Sequence, residues 1–288
     1  MDPSKIKIGV AGWSYPDWKG IVYPDSKSDM LSYVAQFVDV IEINSTFYRP
    51  ALSTDSTIWL NRVKPYEGFF FTAKLHQDFT HSGIFDDAFI IEFTDGLRPL
   101  LEAGKLRQLL AQFHWDFEDT DDNRLRLEKI AGLFASLCPL AVEVRHRSWQ
   151  EEDAVRFLMN LPISVCNLDY PMRDDSFNPP WLTPIGKNGY FRLHGRNAEK
   201  WFSRAGRDET YNYFYHPDEL EDILTKVEHL ARQCETYTLI ANNHYRGAEL
   251  ANAIQLKAMV TGLKRRFPEG LLVQYPELIE YAENAILF

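Results

Sequence analysis

Cysteine is scarce in this 288-residue chain: there are 3, at positions 138, 166 and 234, with no CxxC pair. Each falls in an apolar run or on a helix face, so they read as buried reduced thiols, not as a disulfide framework or a redox motif. Long apolar runs are missing too. None approaches the roughly 18 residues of a membrane span. The opening Met-Asp-Pro-Ser-Lys-Ile-Lys holds no apolar leader core. A cytoplasmic protein with no membrane partner is therefore expected. Basic residues are the minority, 31 against 41 acidic, for a formal charge of −10. That balance disfavours nonspecific nucleic-acid binding but leaves room for a local basic pocket. Local catalytic signatures are absent as well: there is no GxSxG elbow and no HExxH. No glycine-rich phosphate loop follows the first strand, where Gly12-Trp-Ser-Tyr stands instead.

What is present is core-forming. With 45% hydrophobic and 14% aromatic residues the chain can bury a large interior. Short apolar runs at 7–11, 40–43, 69–74, 106–113, 140–145, 163–168, 190–194 and 237–241 read as strands. Helical spacing fills the gaps: from a Ser28 cap through Val38, then 53–63, 86–101, 124–137 and 151–159. Further helices run from Pro217 to Cys234 and from Gly247 to Ala258, with a last one from Pro276. Eight strands alternating with helices point to an α/β fold, a single-domain TIM-type (β/α)8 barrel over residues 1–288. The rival doubly wound sheet lacks its phosphate fingerprint.

In such a barrel the site lies at the C-terminal strand ends. Those ends carry Trp13; Glu42, Asn44 and Tyr48; Lys74; Gln112; Glu143 and Arg145; Asp169; Arg192, His194 and Arg196; and Asn242, Asn243 and His244. Trp149 follows shortly after the fifth strand. Glu143 and Arg145 share parity, as do Arg192 and His194, so each pair projects to one face. A carboxylate inside an apolar strand, as at Glu42, costs several kcal/mol unless partners satisfy it. The plain alternative to a site is that Glu42 and Arg145 pair with each other as an ionic layer of the core.

The stretch 195–216 is too long for a bare connector. It interleaves Arg196, Lys200, Arg204 and Arg207 with Trp201, Phe202, Tyr211 and Tyr213. Residues 242–247 lead into a helix N-terminus, whose free N–H groups favour an anion. An anionic ligand is the sharper expectation; a solvated loop packing its aromatics on the rim is the other. No cofactor is implied. Glu42, Glu143, Asp169, His194 and His244 offer the donors a divalent metal such as Mn or Zn accepts, but Arg145 and Arg192 would repel it. The pair His76 and His81 reads as incidental to a loop.

Several of these stretches also resemble a family. Gly12-Trp-Ser-Tyr with Trp18-Lys-Gly and Tyr23-Pro, then Glu42-Ile-Asn-Ser-Thr-Phe-Tyr-Arg49, are similar to the DUF72 (YecE-like) proteins. Lys74, Glu143-Val-Arg-His-Arg-Ser-Trp149, Tyr190-Phe-Arg-Leu-His-Gly195 and Asn242-Asn-His with Gly247 and Asn252-Ala continue the likeness over nearly the whole chain. The resemblance implies a TIM-type barrel and brings no established reaction. The fourth strand departs from it, ending Ala-Gln-Phe-His-Trp where the family has Gln, Phe or Leu, then Pro-Pro.

The leading expectation is an enzyme doing acid–base chemistry on a small anionic or sugar-like substrate. Glu42 and Glu143 are the acid/base candidates, joined by Asp169 as a catalytic candidate, with Lys74 and His194 as proton-transfer or charge-stabilising groups. Arg145, Arg192 and Arg196 would clamp an anion between walls of Trp13, Tyr48 and Trp149. The alternatives are a glycosidase using the same carboxylates, a non-catalytic nucleotide or nucleic-acid binder, and a metal-dependent isomerase or endonuclease-like barrel.

Overall fold

The computed structural model describes residues 3–24, 29–179, 183–203 and 206–283. Its strands are β1 (Ile6–Val10), β2 (Val40–Ile43), β3 (Phe70–Lys74), β4 (Leu106–Gln112), β5 (Leu140–Glu143), β6 (Ser164–Val165), β7 (Asn167–Asp169), β8 (Asn188–Leu193) and β9 (Thr236–Ala241). All pair in parallel in the order β6-β5-β4-β3-β2-β1-β9-β8-β7. The two ends of that order are joined in the chain by Cys166 alone, so the sheet curls into a nearly closed TIM-like barrel.

The sixth strand thus departs from the continuous run expected at 163–168. Cys166 N still donates to Val142 O on β5 at 2.9 Å. From Asn167 onward the chain pairs with β8, opposite Phe191. One strand has to serve two neighbours, and it breaks where it changes partner.

Helices α1 (Met30–Ala35), α2 (Ser53–Val63), α3 (Asp87–Glu102), α4 (Asp121–Phe134) and α5 (Glu152–Met159) follow the first five strands in turn. Short α6 (Ala198–Trp201) and α7 (Arg207–Thr210) precede α8 (Pro217–Ala231), and α9 (Ala248–Thr261) and α10 (Glu269–Gln274) follow β9. Caps explain the shifted boundaries. Thr120 accepts from Asn123 N and starts α4 ahead of the expected residue 124. Asp29 accepts from Ser32 N to start α1, while the expected Ser28 cap lies outside the described residues. The stretch from Pro276 is a 3-10 helix, Pro276–Tyr281. Among the described residues no helix is long and apolar enough to cross a membrane.

Strand parity makes two cores. Ile41 and Ile43, Phe71 and Ala73, Val142, Leu193 and Leu239 face the helices. Val40, Phe70, Leu110, Ala141, Cys166, Tyr190 and Ile240 fill the barrel. Gly9 is required on β1: a Cβ there would lie 1.8 Å from Val40 O, so a side chain would part β1 from β2. All three cysteines are free and buried.

Candidate active site

Two residues beyond the inner-core members of six strands the same strand face turns polar; only after Cys166, with Leu168, does it stay apolar among the members named. Val40 is followed by Glu42, Phe70 by Thr72 and Lys74, Leu110 by Gln112, Ala141 by Glu143, Tyr190 by Arg192 and His194, and Ile240 by Asn242. These side chains converge because alternate residues of every strand point inward.

Arg192 is the hub. Its Nη2 donates to Glu42 Oε1 at 2.7 Å, and its Nη1 to Glu143 Oε2 at 2.6 Å and Gln112 Oε1 at 2.9 Å. Tyr190 OH donates to Glu42 Oε2 at 2.8 Å and lies 2.8 Å from Thr72 Oγ1. Arg145 Nε and Nη2 both donate to Glu143 Oε1, at 2.8 and 2.6 Å. Every carboxylate oxygen of Glu42 and Glu143 is therefore engaged, and Arg192, Glu42, Glu143 and His194 are fully buried. Glu42 thus pairs with Arg192, not with Arg145 as the simplest sequence pairing had it; Arg145 sits past the end of β5 and reaches back to its own strand.

The charges fix the protonation states. Burial acts to raise the Glu143 carboxyl, but Arg192 and Arg145 outweigh it and hold the group well below the usual range. Burial pushes His194 down to about 3, with Arg192 adding to the fall and Glu143 opposing it. Asn242 Nδ2 lies 3.0 Å from His194 Nδ1, which places the ring proton on Nε2, 3.3 Å from Glu143 Oε1. The cluster is then neutral: the charges of Glu42 and Glu143 cancel those of Arg192 and Arg145.

Lys74, at the end of β3, is the odd cation. Burial pushes its amine down to about 7, with the Arg192 guanidinium adding to the fall and Glu42 and Glu143 opposing it. No carboxylate remains for it: among the described residues its amine has no hydrogen bond or ion pair, only the Phe47 ring with its centroid 5.7 Å away. It lines an open cavity of about 530 Å³ walled by Trp13, Tyr15, Phe47, Tyr48 and Tyr211, with the amides of Asn44, Gln112 and Asn242 at hand. Asn44 Nδ2 donates to Ala11 O at 2.7 Å, while its Oδ1 has no partner among the described residues. A second cavity of about 440 Å³ adjoins the first at Tyr211 and carries Arg145, Arg173, His114 and Trp201.

Of the residues named from sequence, Trp13, Asn44, Tyr48, Lys74 and Asn242 meet at the first cavity, Arg145 at the second, and Glu42, Glu143, Arg192 and His194 in the ionic cluster beside Lys74. Gln112 and Tyr211 also line the first cavity, and Trp201, Phe202 and Tyr211 the second. The remaining candidates lie elsewhere. Asp169 and Arg196 bind each other, at 2.9 and 2.7 Å, and Arg196 also holds Glu219 at 2.8 Å, so this guanidinium is spent on the loop before α8. Asn243 ties Tyr213 O to Asn252, and His244 is buried, its ring stacked on Tyr15 at 4.7 Å. Trp149 is buried against Phe117, donating to Phe117 O at 2.7 Å, and walls neither cavity. Arg204 and the Arg207 side chain lie outside the described residues.

The turn before α9, a candidate anion site by sequence, is served by carboxylates of the chain. Asp17 accepts from Arg246 N, and Glu249 is buried in the first helical turn. The metal reading also fails a fit test. Arg192 lies between Glu42 and Glu143, and among the described residues no three His, Cys, Asp or Glu side chains gather as a metal site.

The family model described as "Protein of unknown function DUF72" matches residues 7–272. The chain belongs to the DUF72 family. A solved DUF72 family protein from Thermotoga maritima MSB8 is 31% identical, with 89% of this chain and 99% of that one covered at a TM-score of 0.78. Another from Enterococcus faecalis V583 is 23% identical, with 92% and 98% covered at 0.77, and shows the same fold. No curated protein matches the chain.

In this DUF72 protein Thr72, Tyr190, Phe47, Tyr15 and Arg173 join the site without having been named for it from sequence, although Tyr15, Phe47 and Tyr190 stand inside the stretches that carry the family resemblance. Thr72 and Tyr190 were within reach, since they share inward parity with Lys74 and Arg192. Phe47 lies in the 3-10 turn after β2 (Ser45–Phe47), and Arg173 in the connection from β7 to β8. No periodicity marks either.

Proposed function

We propose that this protein is an enzyme that moves a proton at a carbon next to the carbonyl of a small sugar-like substrate, with Lys74 as the proton-transfer group. The observation that carries the reading is the amine of Lys74, which has no hydrogen bond or ion pair among the described residues and lines an aromatic-walled cavity, with its pKa pushed down to about 7. A base poised near the working pH is the most effective proton-transfer group. Glu42 and Glu143 hold Arg192 and Arg145 beside the amine through their ion pairs. Trp13 and Tyr48 would cover the faces of a sugar-like carbon chain. A carboxylate or phosphate on the substrate would lie toward Arg145 and Arg173 across Tyr211.

Cleavage of a glycosidic bond suits this geometry less. It needs one carboxyl kept protonated by a raised pKa. Glu143 is held low instead, and both oxygens of Glu42 are occupied.

The test is solvent exchange in D2O followed by proton NMR with a panel of small aldoses, ketoses, sugar phosphates and oxo acids. Loss of the C–H signal next to one carbonyl, present with wild type and gone in Lys74→Met, is the expected result. Exchange that persists in Lys74→Met would remove Lys74 from the chemistry. Salt-dependent oligonucleotide binding without any exchange would favour the binding-protein reading, which rests on the Arg173 guanidinium 3.7 Å over the Phe202 ring and on exposed Trp115.

A further inference from the structure

We propose that Lys74 is also a covalent nucleophile, condensing through its amine with the carbonyl carbon of a small aldehyde or ketone that bears a carboxylate or phosphate. This deepens the reading of the first cavity as a catalytic site and rests on it.

An amine in a buried charge cluster normally ends in a salt bridge. Here both carboxylates within the cluster are saturated, Glu42 by Arg192 and Tyr190, Glu143 by Arg192, Arg145 and His194. Lys74 lines the cavity, and among the described residues its amine has the Phe47 ring against it and no hydrogen bond or ion pair. Lysines become nucleophiles when desolvated or set beside other cations, and Lys74 meets both conditions. With its pKa near 7, about half of the amine is neutral at pH 7, a fraction about 10³-fold above that of an ordinary lysine.

The step balances without any redox partner. The nitrogen lone pair forms an N–C bond while the carbonyl π pair moves to oxygen. A proton passes from nitrogen to that oxygen through cavity water, giving a carbinolamine. A second proton, taken up from bulk solvent through the cavity water, lets the oxygen leave as water while the nitrogen pair forms C=N. The product is an iminium, which places one positive charge in a cluster that is otherwise neutral. That charge selects the substrate. A carboxylate or phosphate one or two carbons away restores neutrality, and the Arg145 guanidinium, which lines the second cavity and among the described residues is engaged by Glu143 through Nε and Nη2, offers Nη1 to it. An uncharged aldehyde would leave a buried unpaired cation, which is costly.

The full-length protein is incubated with glyoxylate, the smallest oxo acid, and sodium cyanoborohydride at pH 7, then read by intact mass and peptide mapping. One adduct per chain on Lys74, formed before any other lysine is measurably labelled, is expected. Lys74→Arg, which keeps the cation, should lose it, and propionaldehyde, the uncharged probe, should label Lys74 at least about tenfold more slowly. Labelling spread over surface lysines at equal rates in wild type and Lys74→Arg overturns the proposal, as does equal labelling of Lys74 by both probes for the anionic substrate class. Deuterium exchange into dihydroxyacetone phosphate separates the two readings. Lys74-dependent exchange without an adduct removes the covalent step and keeps the proton transfer. An adduct without exchange keeps the nucleophile and removes the proton transfer, and neither signal removes both.

Discussion

Arg192 Nη2 lies 2.7 Å from Glu42 Oε1 inside the barrel, with neither side chain exposed. The two residues stand on β8 and β2, and the same guanidinium holds Glu143 at 2.6 Å. Removing a partner from a buried pair leaves an uncompensated charge, at a cost of about 3–5 kcal/mol. Arg192→Met strands Glu42, while Glu143 keeps Arg145, and should lower the free energy of unfolding in urea by about that amount. The double variant Arg192→Met/Glu42→Gln should recover part of the loss. A single variant within about 1 kcal/mol of wild type would mean that solvent reaches the pair.

Lys74 gives the protein a signature above neutral pH. Its folded pKa is about 7 against 10.5 for the free side chain, so between these values the unfolded chain binds more protons than the folded one. Stability therefore rises with pH across that window, by up to about 1.4 kcal/mol per unit from this group. The contribution is complete above the unfolded value and lost as pH falls through the window toward 7. Urea unfolding at pH 7, 8 and 9 should show wild type gaining on Lys74→Met at each step. Parallel curves would mean that Lys74 keeps an ordinary pKa.

Much of this arrangement is written locally in the chain. The alternation of Tyr190, Arg192 and His194, like that of Glu143 and Arg145, by itself puts the polar groups on one face of a strand. What alternation cannot supply is the partner. Glu42 and Arg192 are brought together by closure of the barrel, and no local pattern favours Arg192 over Arg145 as the cation for Glu42. Trp149 illustrates the opposite failure. It follows a rim strand in sequence, but the 3-10 turn Arg147–Gln150 carries its indole under Phe117, away from both cavities. Asp169 and Arg196 look like site residues because they end strands; the loop before α8 uses them as its clasp.

His194 should govern acid sensitivity above the carboxylate range. Its folded pKa is about 3 against 6.5 free, so below pH 6.5 the unfolded chain takes up a proton that the buried ring refuses. The stability is complete above 6.5 and is lost as pH falls toward 3, by up to about 1.4 kcal/mol per unit. His194→Gln, with no group that titrates there, should show a shallower decline between pH 6.5 and 4.5 in urea unfolding. An unchanged slope would assign the acid sensitivity to other groups, of which His81, pushed by burial and by His114 to about 4, is the first to test.

Tyr215 separates the clasp from the chemistry. Its hydroxyl donates to Asp169 Oδ1 at 2.7 Å and accepts from Gly195 N at 2.9 Å, all in the buried interior beside β8. Gly195 holds φ at +86°, a conformation glycine adopts without strain, and its N–H points at that hydroxyl. Tyr215→Phe leaves the Gly195 amide buried without its acceptor, which costs about 1–3 kcal/mol, while Arg196 still holds Asp169. The expected outcome is a lower urea midpoint with labelling of Lys74 by glyoxylate unchanged at pH 7. If the labelling rate falls in step with stability, the clasp instead positions Tyr211, the ring shared by the two cavities, and the loop before α8 belongs to the site.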